Sequence, residues 1–145
     1  MKVTYTQQQD FEEWLKNKIR TYNNVNSKYH HEYRRDGSIQ YINIKEHSER
    51  ELIAGLHAQI YWKCMKIENL YVEDRHRRSG IGSKLLDCAI KIARSKNCSY
   101  IFLETYSFQA LEFYMNFGFY IIGEIADYPP GESFYTMRLD LVDHT

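Results

Sequence analysis

The sequence predicts an α/β fold with a mixed central sheet, in which an antiparallel N-terminal meander is followed by a βαβ crossover and a second helix. Alternating apolar and polar residues over 38–45, 52–63 and 65–72 predict three neighbouring antiparallel strands. An amphipathic helix over 80–96 and a short apolar strand over 100–103 follow the third strand directly. Because parallel strands need a crossover of this kind, the order predicts a βαβ unit.

Length and composition predict one globular domain over residues 1–145. The chain has 145 residues, 43% of them hydrophobic, and no Pro/Gly-rich linker or internal repeat divides it. Lys and Arg number 19 and are balanced by 19 Asp and Glu, whereas a non-specific nucleic-acid binder is usually basic. We therefore expect no nucleic-acid partner.

The N-terminus and the cysteines predict a cytoplasmic protein without a membrane partner. Polar residues 7–10 follow the first six residues where a secretory signal would be apolar, and no run reaches transmembrane length. Three cysteines without a CxxC spacing suit reduced thiols rather than a metal site. The adjacent His30, His31 and Glu32 point in different directions in a helix or strand, so no metal is expected there either.

In the N-terminal part, Lys2 to Thr6 is a candidate first strand. Asp10 is a candidate N-cap for a helix that runs to about Tyr22. Asp36-Gly37 is a turn signal before the first meander strand. The helix is predicted by apolar residues at 3–4 spacing on one side: Phe11, Trp14, Leu15 and Ile19.

In the C-terminal part, Ser107 is a candidate cap for a second helix that runs to about Phe117, and Gly118 suits the position that ends it. Strands over 119–124 and 133–141 complete the sheet. The preceding crossover helix is predicted by an apolar stripe: Ile81, Leu85, Ala89, Ile92 and Ala93.

A glycine-rich turn between the third strand and the crossover helix indicates an anion site. Gly80 and Gly82 allow the backbone to approach a ligand closely, and a helix N-terminus offers unpaired N–H groups with partial positive charge. Cations crowd the same end over 75–78, where only an anion makes them favourable. This pattern predicts a phosphate or pyrophosphate site.

Two common phosphate-binding motifs fit this turn poorly. A Walker loop ends in Gly-Lys-Ser/Thr, whereas Gly82-Ser83-Lys84 has another order. A dinucleotide fingerprint needs a third glycine where Leu85 stands, although Glu104 is at a suitable distance for its acidic ribose ligand. Only about 63 residues follow Gly82, too few for a six-stranded doubly wound sheet.

The motifs resemble those of the GNAT N-acetyltransferase superfamily. The segment 67–72, Arg77-Arg78-Ser79-Gly80-Ile81-Gly82 and Leu85-Leu86 together resemble its acetyl-CoA signature. The segment 110–119, which ends in Phe117-Gly118-Phe119, is similar to its second signature. The resemblance runs from about Leu52 to the C-terminus and implies the GNAT fold in a bacterial single-domain member.

The resemblance implies that acetyl-CoA is the cosubstrate and that no metal takes part. The pyrophosphate would bind the amides of the glycine-rich turn with help from an arginine, and the pantetheine arm would lie along the end of the third strand. Ser107 stands where the family often has an asparagine that contacts the cofactor. The implied contacts come from Leu70, Tyr71, Val72, Arg77, Arg78, Ser79, Gly80, Ile81, Gly82, Ser83 and Ser107.

The resemblance also implies direct transfer of the acetyl group to an amine. Tyr114 stands at the position of the acid that protonates the leaving thiolate, and a strand amide near Leu70 would stabilise the oxyanion. Glu68, two residues before Leu70 on the same face of a regular strand, resembles the glutamate that deprotonates the amine through water. Glu104, at the end of the next strand, and water itself stay open as alternatives.

The acceptor is expected to be a small-molecule or peptide amine, and a homodimer is a candidate assembly of the protein. Tyr, His and Glu residues over 22–33 and 128–132 suit a cationic or aromatic amine. Two other hypotheses stay open at this stage: a non-catalytic acyl-CoA-binding regulatory module on the same fold, and a nucleotide-binding protein that uses the glycine turn.

Overall fold

The structure, a computed structural model, describes residues 1–33, 35 and 37–141. These residues form two compact units, Met1–Ser38 and Ile39–Thr145. The turn expected at Asp36-Gly37 includes Asp36, which lies outside the described residues. A single domain over the whole chain stays a prediction.

The first unit is helical. Helix α1 spans Gln9–Asn26 and helix α2 spans Lys28–Tyr33. The strand predicted over Lys2 to Thr6 is wrong: this segment has no regular structure, and none of the strands that the structure describes pairs with it. The cap predicted at Asp10 is also wrong, because Asp10 lies in the first turn, where its charge suits the helix dipole.

The second unit confirms the predicted α/β fold with a six-stranded mixed sheet. Its strands are β1 (Gln40–Ser48), β2 (Glu51–Tyr61), β3 (Cys64–Val72), β4 (Tyr100–Tyr106), β5 (Tyr120–Ala126) and β6 (Ser133–Asp140). Its helices are α3 (Ile81–Ser95) and α4 (Leu111–Asn116). The strands lie in the order β1-β2-β3-β4-β6-β5, and within residues 37–141 only β3 and β4 are parallel neighbours.

The core lies where α3 packs against the sheet. The apolar stripe predicted on α3 is confirmed: Leu85, Ala89 and Ala93 are buried, as is Leu86. They pack in one cluster with Leu56, Ala58, Met65, Ile101, Leu103 and Met137 from four strands. Because these side chains alternate along their strands, the residues between them lie on the opposite face of the sheet.

The second helix of this unit begins later than the sequence predicts. Helix α4 is preceded by Ala110, and the cap predicted at Ser107 is wrong. The Ser107 hydroxyl instead donates a hydrogen bond to the Glu132 carboxylate and accepts one from the Ser133 N–H at 3.0 Å. Gly118 ends the helix with φ +97°, as the sequence predicts.

Among the described residues, no helix is long and apolar enough to cross a membrane. The same part of the chain has no group of three or more His, Cys, Asp and Glu side chains that could hold a metal ion. The three cysteines are free, and burial raises the pKa of the Cys64 and Cys98 thiols.

Candidate active site

The N-terminus of α3 presents backbone N–H groups with no partner inside the helix. Gly80 precedes the helix with φ +84°, a left-handed conformation that suits glycine. The first intrahelical bond is donated by Lys84 to the Gly80 carbonyl oxygen at 3.0 Å. The N–H groups of residues 81–83 therefore point out of the helix end, the arrangement that binds anions.

The cations before this helix differ in their partners. Arg75 pairs with Glu51 at 2.6 Å, and Arg77 pairs with Asp74 at 2.9 Å. Arg78 makes none of the hydrogen bonds or ion pairs recorded among the described residues. Of the three arginines before this helix, Arg78 is therefore the one for which no anionic partner is recorded among the described residues.

A cavity of about 700 Å³ opens beside this helix end. Its walls are the end of β3, the start of α3 and one side of α4. Nearly all of the predicted cofactor residues line it: Leu70, Tyr71, Val72, Arg77, Arg78, Gly80, Ile81, Gly82 and Ser83. Ser79 and Ser107 are not among its lining residues; the Ser79 hydroxyl donates to the His76 carbonyl oxygen instead.

Several lining residues were missed by the sequence reasoning. They come from the loop before α4 and from α4 itself: Phe108, Gln109, Ala110 and Phe113. His76, which belongs to the predicted cluster over 75–78, also lines the cavity. Phe113 had a signal, since it neighbours Tyr114 on the helix of the second motif. No sequence signal indicates that Gln109 lines the cavity. Its position depends on a turn in which its side-chain oxygen accepts a hydrogen bond from the Tyr106 N–H at 2.9 Å.

A second cavity of about 130 Å³ lies where β3 and β4 separate. The parallel ladder joins the two strands only up to the pair Lys66 and Phe102. Beyond that pair the gap is lined by Glu68 from β3, Glu104 from β4 and Tyr114 from α4. The two cavities share four lining residues: Leu70, Gln109, Ala110 and Tyr114.

A β-bulge changes the orientation of Glu68. His57 lies opposite Asn69 and Ala58 lies opposite Ile67, which leaves Glu68 without a partner in the ladder. The expectation that Glu68 shares a face with Leu70 and Val72 is therefore wrong. The extra residue shifts the alternation, so Ile67 rather than Glu68 lies on their face of the sheet.

Both candidate bases contact one ammonium group. Lys66 Nζ lies 3.6 Å from Glu68 Oε1 and 3.5 Å from Glu104 Oε1. It also lies 5.8 Å from the centre of the Phe102 ring. The side chains of Glu68 and Glu104 are 30% and 42% exposed, so solvent reaches both carboxylates. Together the three side chains carry a net charge of −1 beside the smaller cavity.

Tyr114 is buried at the wall between the two cavities. Its ring packs edge-on against Phe113 and Phe119, and burial raises the pKa of its phenol to about 12. No hydrogen bond of the hydroxyl is recorded among the described residues. At neutral pH the phenol therefore keeps its proton and can donate a hydrogen bond into either cavity.

The two cavities differ in the ligand chemistry they suit. The larger cavity combines the helix N-terminus and Arg78 with apolar walls such as Val72 and Phe113, a combination that fits a ligand with an anionic end and an extended arm. Acetyl-CoA has this form. The smaller cavity presents carboxylates, which suit an ammonium group.

Comparisons with known proteins identify the family of this chain. The sequence pattern of the acetyltransferase (GNAT) family matches residues 5–119. Blasticidin-S acetyltransferase from Streptomyces morookaense is 37% identical over 82 residues, which are 56% of this chain and 60% of that protein. The match thus spans less than two thirds of that relative's length.

Solved structures share the fold over a larger part of the chain than the sequence match to this relative covers. An acetyltransferase from Bacillus cereus superposes with a TM-score of 0.80 at 28% identity, over 97% of this chain and 98% of the other. An aminoglycoside 6′-N-acetyltransferase complexed with coenzyme A has a TM-score of 0.64 at 18% identity, over 76% and 77% of the two chains. The chain belongs to the acetyltransferase (GNAT) family.

Proposed function

We propose that this protein transfers the acetyl group of acetyl-CoA directly to the amine of a small cationic acceptor. The observation that carries the proposal is the pair of adjoining cavities with a shared wall at Tyr114. One cavity suits an anionic cofactor and the other suits an ammonium group. A thioester placed near the shared wall would meet an amine that enters from the smaller cavity.

In the proposed reaction, the amine nitrogen attacks the thioester carbonyl carbon, a C–N bond forms and the C–S bond breaks. The acceptor enters as an ammonium ion and loses a proton to Glu68, to Glu104 or to water between them. The Leu70 amide would stabilise the oxyanion, as the family resemblance implies. Leu70 lines both cavities, which supports this placement.

Tyr114 would assist departure of the CoA thiolate. Transfer of a proton from a phenol with a pKa of about 12 to a thiolate with a pKa of about 8.5 is uphill. The group can therefore stabilise the developing charge by donating a hydrogen bond as the C–S bond lengthens. Complete transfer would follow only when the bound ligands lower the pKa of the phenol.

The proposal favours a small cationic acceptor over a peptide amine. The smaller cavity holds about 130 Å³ and carries net negative charge, which suits a compact ammonium group. The name of the relative that is 37% identical over 82 residues points to a small antibiotic amine. We infer that the acceptor belongs to this chemical class.

Thiol release from acetyl-CoA tests the proposal. The probes are blasticidin S, an aminoglycoside with a free 6′-amine and a peptide with a free N-terminal alanine. We expect CoA release together with an acetylated product for a small cationic probe and little release for the peptide. A thermal-shift assay with acetyl-CoA, CoA, NAD and ATP is the companion measurement. A ligand that binds the folded protein and is present at 100 times its Kd raises the free energy of unfolding by about 2.7 kcal/mol. Stabilisation by acetyl-CoA without thiol release from any amine would instead support a non-catalytic binding module.

A further inference from the structure

An aromatic cluster lies where β4 ends and the loop between β5 and β6 returns: Tyr106, Phe108, Tyr128 and Phe134. The Tyr106 ring stacks with Phe108 at a centroid distance of 5.2 Å and an interplanar angle of 8°, and with Tyr128 at 6.3 Å and 23°. Phe134 packs against Tyr106 at 5.0 Å and against Tyr128 at 5.7 Å. The rings of Phe108 and Tyr128 are therefore both close to parallel with that of Tyr106.

Two rings of the aromatic cluster are open to solvent. Phe108 is 59% exposed and Tyr128 is 51% exposed, and apolar groups gathered on a surface are typical of binding sites. Other rings on the sheet carry a cation of the protein itself, as Tyr100 does with Arg138 at 3.9 Å from its centre. None of the cation–ring contacts recorded among the described residues involves the aromatic cluster.

Hydrogen bonds fix the two loops that carry the exposed rings. The Ser107 N–H donates to the Ser133 carbonyl oxygen at 2.8 Å, and the Ser107 hydroxyl accepts from the Ser133 N–H at 3.0 Å. The same hydroxyl donates to the Glu132 carboxylate, and the Tyr128 N–H donates to the Glu132 carbonyl oxygen at 3.1 Å. Because the loops are ordered without a ligand, stacking on their rings costs less conformational entropy.

The aromatic cluster adjoins both cavities of the candidate active site. Phe108 lines the larger cavity. Glu104 lines the smaller cavity and lies two residues before Tyr106 on β4, where the pairing with β6 is regular, so the two side chains share one face of the strand. Neighbours on the same face of a strand are about 7 Å apart. A ring joined by a short linker to an amine at Glu104 would therefore reach the aromatic cluster.

We propose that the aromatic cluster is an acceptor subsite that binds a flat ring, which makes amines with a planar ring on a short linker the substrate class. This inference rests on the proposed function, because that function places the acceptor amine in the smaller cavity. Stacking on the exposed rings of Phe108 and Tyr128 buries apolar area and adds a preference for flat, π-rich rings. A saturated ring of similar size does not satisfy this preference.

Two matched amines, phenylpropylamine and cyclohexylpropylamine, test the subsite. Both carry the amine at the end of a three-carbon linker, and they differ in the planarity of the ring. NMR titration in the presence of CoA, which has no acetyl group to transfer, measures the Kd of each amine. We expect a Kd about fivefold lower for the phenyl amine. A merely apolar surface would instead bind the cyclohexyl amine at least as well, because the saturated ring exposes more apolar hydrogen atoms.

Substitutions of Tyr128 locate the effect. Tyr128→Leu should reduce the preference for the phenyl amine, and Tyr128→Phe should keep it, because the ring remains. Tyr41→Leu, the same change at an exposed tyrosine of β1, should leave the preference unchanged. If Tyr128→Leu fails to fold, Phe108→Leu removes the other exposed ring and should likewise bring the two Kd values together.

The possible outcomes separate the subsite from the proposed function. Equal Kd values for the two amines in the wild-type protein, or binding of neither, would overturn the subsite even if other amines release thiol from acetyl-CoA. An unchanged ratio of Kd values in folded Tyr128→Leu would overturn it too, because a cluster that only fixes the loops affects both amines alike. Conversely, a preference that Tyr128→Leu reduces, in a protein that releases no thiol with any amine, would uphold the subsite and reject the proposed function.

Discussion

Arg77 Nε donates a hydrogen bond to the Val72 carbonyl oxygen at 2.9 Å. The same guanidinium pairs with Asp74 and lies 5.4 Å from the centre of the Tyr71 ring. Arg77 thus ties the loop before α3 to the end of β3. Its neighbour Arg78 makes no recorded hydrogen bond or ion pair with the part of the chain that the structure describes, and it lines the larger cavity. The two arginines are therefore expected to differ in role.

Arg78→Ala should therefore weaken binding of CoA more than Arg77→Ala does. A charge-assisted contact with phosphate contributes about 1–2 kcal/mol, which corresponds to roughly tenfold in Kd. Calorimetry at two salt concentrations measures this difference. Arg78→Ala should also reduce the dependence of Kd on salt, because it removes a screened charge. A larger loss of affinity in Arg77→Ala would assign the phosphate contact to Arg77.

Glu68→Gln and Glu104→Gln should each lower kcat/KM mainly at acidic pH, where the acceptor is protonated. An amine that is already neutral at high pH needs no base, so the defect should shrink there. A defect in both single variants that is independent of pH would indicate a role in positioning instead.

Tyr114→Phe should reduce turnover on the order of 10²-fold with nearly unchanged affinity for acetyl-CoA. The substitution keeps the ring that packs against Phe113 and Phe119 and removes only the hydroxyl. A hydrogen bond that forms as the thiolate departs contributes to kcat rather than to binding. Steady-state kinetics with a calorimetric control separates the two effects. Full turnover in this variant would remove Tyr114 from the mechanism.

The raised pKa of Tyr114 also predicts how stability changes in alkali. The phenol titrates near 12 in the folded protein and near 10 when unfolded, so the unfolded state loses its proton first. Its contribution is complete below pH 10 and is lost as pH rises to 12, by about 2–3 kcal/mol. Urea unfolding at several pH values should show a smaller decline in Tyr114→Phe. Equal declines in both proteins would mean that the phenol is not shielded from water.

Local patterns predict much of this fold. The apolar stripe of α3 and the short apolar strand after it predict a parallel pair, which β3 and β4 form. The helix stop at Gly118 follows from the conformational freedom of glycine. The glycine-rich turn likewise predicts the start of α3, which Gly80 precedes. Each of these features depends on residues that are close together in the chain.

The features that the sequence does not predict depend on distant residues. The bulge at Glu68 depends on the register in which β2 pairs with β3. The residue alternation of β3 alone predicts a regular strand. Ser107 has the chemistry of a helix cap, but Glu132 and Ser133 compete for its hydroxyl. The position of Lys66 between two carboxylates likewise appears only when β3 and β4 are paired.

The measurement that tests the central claim most directly is calorimetric binding of acetyl-CoA to Gly82→Val, with Gly82→Ala as the control. A Cβ at Gly82 would lie 3.6 Å from the Phe113 ring and 3.8 Å from Val72, which is ordinary contact. Alanine should therefore fold and bind with a modest loss, whereas the larger valine side chain should obstruct the cavity beside the amides of α3. We expect a folded valine variant whose Kd for acetyl-CoA rises at least about tenfold. Wild-type affinity in that folded variant would contradict the assignment of this cavity to acetyl-CoA.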